Sequence, residues 1–167
     1  MVPIVTRTLA ISLLVVIAHP SYADEPIALT PSVGKHIMIA PEDIKWGPCP
    51  PFLPPGGMCT VIEGDPQVPN ALFTLRSKLP DNYKIAPHFH PTDEHITVIS
   101  GTFAMGLGKA FDEKALKPMR TGSFMVMPKG APHFALTRGE TIVQVHAVGP
   151  MIFSYINPED DPASHTQ

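Results

Sequence analysis

His88-Phe89-His90-Pro91-Thr92-Asp93-Glu94, with Gly101 seven residues beyond, and Gly122-Ser123-Phe124-Met125-Val126-Met127-Pro128-Lys129-Gly130-Ala131-Pro132-His133 are two separated halves of one pattern. Each sets residues with metal-ligating chemistry among apolar neighbours at strand spacing. Alternate side chains of a strand face the same way, so His88 and His90 share a face and Phe89 takes the other. Glu94 keeps that parity, and Pro91-Thr92-Asp93 reads as a bend between two ladders. His133 follows the turn Pro128 to Pro132 and opens another strand. The spacing predicts three imidazoles and one carboxylate at the mouth of a small β-barrel, around a divalent metal.

The donor set says what kind of metal site this would be. Closed structural zinc sites are tetrahedral and thiolate-rich, and this set holds no cysteine. Imidazole plus carboxylate suits Fe, Mn, Cu, Ni or Zn, and an octahedral ion would keep two positions open. Three neutral imidazoles and one carboxylate leave a divalent ion at about +1, ready for an anion, water or O₂. A three-histidine site with Glu94 alongside is the alternative arrangement. His95 falls on the opposite face from Glu94 and reads as an exterior or interface residue. His146, in Val143-Gln144-Val145-His146-Ala147, lies on a late strand that could line the barrel. A catalytic proton-transfer role there competes with that of a hydrogen-bonded core histidine. Met105, Met125, Met127 and Met151 sit at strand spacing and read as core. Arg76 and Tyr83 are further candidates for holding a substrate carboxylate, but nothing in the sequence places them.

Short runs rich in β-branched and aromatic residues recur around these stretches: Leu72 to Leu79, Lys84 to His90, His95 to Ile99, Thr102 to Leu107, Phe124 to Met127, His133 to Leu136, Thr141 to Val148 and Ile152 to Ile156. Gly and Pro punctuate them, and no long window shows helical periodicity, so the chain reads as all-β. Pro41 to Lys45 could form one helical turn. Residues 24–69 are proline-rich and read as an irregular N-terminal extension. Residues 70–156 read as the barrel, and residues 157–167 as a loose polar tail.

These motifs resemble the two conserved motifs of the cupin superfamily. His88, His90 and Glu94 with Gly101 match HxH-x3-E-x6-G, and Gly122, Pro128, Gly130 and His133 match G-x5-P-x-G-x2-H. The glycine expected before the first histidine is Asn82, a residue that tolerates positive φ, and the asparagine expected after the last is Thr137. The resemblance covers about residues 70 to 150. It implies a double-stranded β-helix, the cupin jelly-roll barrel of the RmlC-like, type-2 kind, usually a homo-oligomer. Germin-like proteins, which are exported cupins, are similar in carrying an N-terminal cysteine pair.

Residues 1–23 have the pattern of a secretory signal peptide: Arg7, an apolar run from Leu9 to Ala18, and Ser21-Tyr22-Ala23 before a cut at Asp24. The apolar run is short for a bilayer span, which needs roughly 20 apolar residues. A periplasmic or secreted protein with no membrane attachment after cleavage is the expectation. In an oxidising compartment Cys49 and Cys59 read as a structural disulfide closing a proline-rich loop. The mature chain carries 11 Lys and Arg against 15 Asp and Glu, a formal charge of −4. Nothing basic enough for nucleic acid is present.

Three functional classes fit. The first is a metal-dependent oxidoreductase of dioxygenase or oxidase type on a small organic substrate, with a decarboxylase, lyase or isomerase beside it. The second is a non-catalytic metal or small-ligand binding protein, and the third a structural domain stabilised by its ion. An intact set of four ligands favours the first.

Overall fold

The computed structural model of the protein describes residues 36–165. The expected signal peptide, residues 24–35 and the last two residues lie outside the described residues. Among the described residues, nine strands form one antiparallel sheet: β1 (Gly47–Pro48), β2 (Met58–Glu63), β3 (Leu72–Leu79), β4 (Lys84–Phe89), β5 (Glu94–Leu107), β6 (Lys117–Arg120), β7 (Phe124–Met127), β8 (His133–Val148) and β9 (Ser154–Tyr155). The path runs β1-β2-β3-β8-β4-β9, and β5 pairs with β6, β7 and β8.

Two long strands make the sheet fold back on itself. The first half of β5 lies between β7 and the end of β8, and its second half between β6 and the beginning of β8. In turn, β8 pairs along its start with β4 and along its end with β3. Both strands change direction at glycine. Gly101 has φ +80 and a Cβ there would collide with the Glu140 carbonyl, so no side chain is tolerated. The neighbouring register shifts, and the fully buried Thr141 hydroxyl bridges the gap, accepting from Thr102 N at 3.1 Å. The glycine of the first motif is thus the corner that turns one face of the sheet inward.

That face is the core. Phe73, Leu75 and Leu79 of β3, Ile96, Val98, Phe103 and Met105 of β5, Val143 and Val145 of β8 and Ile85 of β4 form one buried cluster. Phe73 is fully buried, and removing such a ring costs roughly 3–5 kcal/mol. Met105, Met125 and Met127 belong to the same core, while Met151 packs at its edge.

Several sequence expectations change. The runs His95 to Ile99 and Thr102 to Leu107 are one bent strand, as are His133 to Leu136 and Thr141 to Val148. The extension is not wholly irregular, because β2 pairs with β3 from Met58↔Lys78 to Glu63↔Thr74. The tail is organised into 3-10 turns at Pro158–Asp160 and Pro162–His165, and Pro41–Asp43 forms one as well. Cys49 and Cys59 are disulfide-bonded. Closing a loop of that length stabilises a fold by roughly 2–3 kcal/mol.

The two departures from the motif pattern have local explanations. Asn82 adopts φ 57, the left-handed conformation that a glycine would supply. Thr137 is completely buried; its hydroxyl accepts from Tyr83 N at 2.7 Å and donates to the Pro80 carbonyl. It therefore ties β8 to the turn that launches β4.

Candidate metal centre

Each of the four candidate ligands sits at or near a strand end. His88 is on β4, His90 just past it, Glu94 opens β5 and His133 opens β8. All four are buried, between 2% and 7% exposed. His88 and His133 are direct cross-strand partners. The two motif loops are stitched to each other: Gly130 N donates to the His90 carbonyl at 2.9 Å, and Lys129 N donates to Asp93 Oδ1 at 2.8 Å. Thr92 anchors the first loop to the Val148 carbonyl at 2.8 Å. The bend at Pro91 to Asp93 thus keeps His90 and Glu94 facing the same interior.

Side-chain geometry makes these imidazoles a set. One ring nitrogen from each of His88, His90 and His133 lies within 4.8 Å of the other two. Glu94 Oε2 stands 3.4 Å from His90 Nε2 and 3.6 Å from His133 Nε2. Every Nδ1 faces a backbone carbonyl: Ala86 at 2.8 Å for His88, Ile152 at 2.8 Å for His90, Ala131 at 3.0 Å for His133. A carbonyl only accepts, so each Nδ1 carries the proton and each neutral ring keeps its lone pair on Nε2. This is the support that metal-binding histidines require. His90 Nε2 is buried with no hydrogen-bond partner, an orphan that a cation would satisfy.

Electrostatics point the same way. Burial, reinforced by His133 and His90, pushes His88 down to about 3, so it is neutral and available as a donor. Burial would raise Glu94, but His133 and His90 hold its carboxyl well below the usual carboxylate range. Burial would lower His90, yet the Glu94 carboxylate 3.4 Å away, with the Ile152 carbonyl, raises it instead. The four residues fit a divalent cation. Bound there, the ion would supply Lewis acidity and, if redox-active, a route to O₂.

One ring at this site carries no sequence motif. Phe153 stacks on His88 at 4.6 Å between centroids and meets His90 edge-on at 4.5 Å. Phe52, in the disulfide loop, stacks on Phe153 at 4.8 Å, and Tyr155 holds Phe52 by donating to its carbonyl at 2.7 Å. The void beside His88, Glu94 and His133 is about 40 Å³, walled mainly by apolar side chains such as Ile85, Phe103 and Val145. That admits a molecule the size of water or O₂, since one water needs roughly 10–15 Å³ on this measure.

His146 does not join the centre. Its neighbours Val145 and Ala147 point inward, so parity turns His146 outward, where it is exposed. Its Nδ1 lies 2.7 Å from the Thr74 hydroxyl, and it pairs across the sheet with His95, also exposed. The strand is where the sequence places it, but His146 stands on its outer face rather than lining the barrel. Arg76 donates to Gln144 Oε1 at 3.0 Å, and Tyr83 is buried with its hydroxyl on the Pro54 carbonyl.

No protein-family model matches the chain, and no curated protein matches it. Solved structures do. A proposed acetylacetone dioxygenase from Methylibium petroleiphilum PM1 is similar with a TM-score of 0.59 at 15% identity, over 78% of this chain and 88% of that one. The polyketide cyclase RemF from Streptomyces resistomycificus gives 0.57 at 16%, over 78% and 92%. An RmlC-like cupin from Shewanella frigidimarina NCIMB 400 gives 0.52 at 13%, over 75% and 96%. At these identities the likeness speaks to architecture alone, and with the folded-back sheet described above it is decisive on that point: the chain has the RmlC-like cupin jelly-roll fold.

Proposed function

We propose that the protein is an exported, metal-dependent oxidoreductase of the dioxygenase or oxidase type, acting on a small organic molecule. The carrying observation is the set of three carbonyl-anchored imidazoles whose Nε2 atoms converge beside one carboxylate. Such a set leaves coordination positions free, and the adjoining 40 Å³ void suits O₂ or water. In this reading His88, His90, Glu94 and His133 hold the ion, and the apolar walls keep bulk water away from it. His146 has no part in the chemistry.

The test is anaerobic reconstitution with Fe(II), Mn(II) or Cu(II), then oxygen-electrode and product measurements across acids, diols and phenols. Metal-dependent O₂ uptake with product is the expected result. Conversion without O₂ uptake would move the protein to a decarboxylase, lyase or isomerase. Metal binding with neither would leave a non-catalytic metal-holding protein. That second reading has its own support in Phe153, which covers two of the imidazoles.

Export rests on the pattern of residues 1–23 and agrees with the Cys49–Cys59 disulfide. Fractionation and the mass of the native protein check it, with Asp24 the expected first residue. Homo-oligomerisation is part of the same proposal and is read by light scattering.

A further inference from the structure

A void of 40 Å³ holds no organic substrate, which raises the question of where such a molecule would sit. A second cavity, of about 210 Å³, lies across a single layer of side chains: Leu53, Ser77 and Met151 line both spaces. Most of its remaining walls come from β2 and the disulfide loop, including Thr60, Val61, Pro50 and Phe52, with Leu75 of β3 and Pro66 and Gln67 of the β2–β3 connection completing them. Neither motif of the metal centre contributes to it.

The chemistry of these walls selects the ligand. No charged side chain lines the cavity. Burying an unpaired charge there would cost far more than apolar contact returns. Polar groups are few, and the Ser77 hydroxyl is already engaged with Cys59 Sγ at 3.3 Å. An apolar cavity of roughly 150 Å³ accommodates benzene, so 210 Å³ has room for a ring bearing a small substituent. Phe52 offers that ring an aromatic neighbour, and the prolines and the disulfide hold the walls preformed. Met151, unbranched and only partly buried, is the wall most able to swing aside.

We propose that this cavity binds a small uncharged aromatic molecule and presents it to the metal centre across Leu53 and Met151. As an antechamber it rests on the metal-dependent reading above; as a binding site it does not. Benzyl alcohol is the probe and sodium benzoate its charged counterpart.

Amide spectra of the full chain, titrated with benzyl alcohol, should show saturable shifts at Thr60, Val61 and Gln67. Benzoate should bind at least tenfold more weakly. Gln67→Trp, at an exposed position on the rim, and Val61→Trp, on half-exposed β2, should each weaken benzyl alcohol at least tenfold. With Mn(II) added, bound benzyl alcohol protons should relax faster in the wild type than in His90→Ala. Absence of saturable shifts, equal affinity for benzoate, or indifference to both tryptophan variants overturns the proposal. Mn(II) held by the protein without effect on the bound ligand overturns the antechamber. Failure of Mn(II) to bind, with saturable shifts intact, refutes the metal-dependent reading and supports the cavity.

Discussion

Strand β8 carries a histidine near each end, and the two meet different fates. His133 turns into the barrel, is 2% exposed and gives its Nδ1 proton to the Ala131 carbonyl. His146 turns outward beside His95 and shares a hydrogen bond with the Thr74 hydroxyl. A carbonyl can only accept, so it fixes the tautomer of the ring it holds. A hydroxyl both donates and accepts, so it leaves the tautomer of His146 open. The inner ring is therefore committed to offering a lone pair at Nε2, and the outer ring is not. Sequence pattern makes the two look alike; what separates them is the side of the sheet and the kind of atom behind the ring.

The largest test of this contrast is ligand removal. His90→Ala or His133→Ala should weaken Mn(II) or Zn(II) binding by more than about 100-fold in calorimetric titration, beyond the usual effect of supporting residues. His146→Ala should change it less than about twofold. Comparable losses from both would erase the distinction between inner and outer faces.

Glu94→Gln comes next, since it keeps the shape and removes the charge. A loss of about tenfold in metal affinity is expected, near 1.4 kcal/mol. No change would leave the three imidazoles as the whole site, with Glu94 standing by.

Tyr83 extends the rule to another carbonyl-anchored group inside the fold. Burial pushes its hydroxyl up to about 12, whereas the unfolded chain titrates near 10. Its contribution is complete below about pH 10 and is lost as pH rises toward 12, on the order of 1–2 kcal/mol. Denaturant melts across that window should show the decline, and Tyr83→Phe should flatten it.

The smallest effect belongs to the outer face. Thr74→Val removes the partner of His146 and should cost about 1 kcal/mol in denaturant unfolding while leaving metal affinity alone.

Much of this architecture was legible from residues alone, and the failures have causes. Leu72–Leu79 and Phe124–Met127 were readable to the residue because alternation and flanking turn signals agreed. Strand β6 (Lys117–Arg120) was missed because Pro118 argues against a ladder; among the described residues it pairs only with β5, where an edge tolerates proline. Strand β2 hid among prolines and glycines. The four inner polar residues follow from spacing, but Phe153 does not: it reaches His88 through long-range packing that no local pattern encodes. The facing of His146 failed because a run of alternating residues reveals that two faces exist, not which one is inside.

The carbonyl that holds His90 has a consequence of its own. His88 and His133 lean on atoms two residues upstream, within their own strands' approaches. His90 leans on Ile152, which comes from the far end of the chain along with Phe153. Proteolytic trimming back to the end of β8 would leave every long strand of the barrel whole, yet one imidazole would lose the atom that orients it. The segment after β8 thus supplies the atom that orients one imidazole without adding a long strand to the sheet.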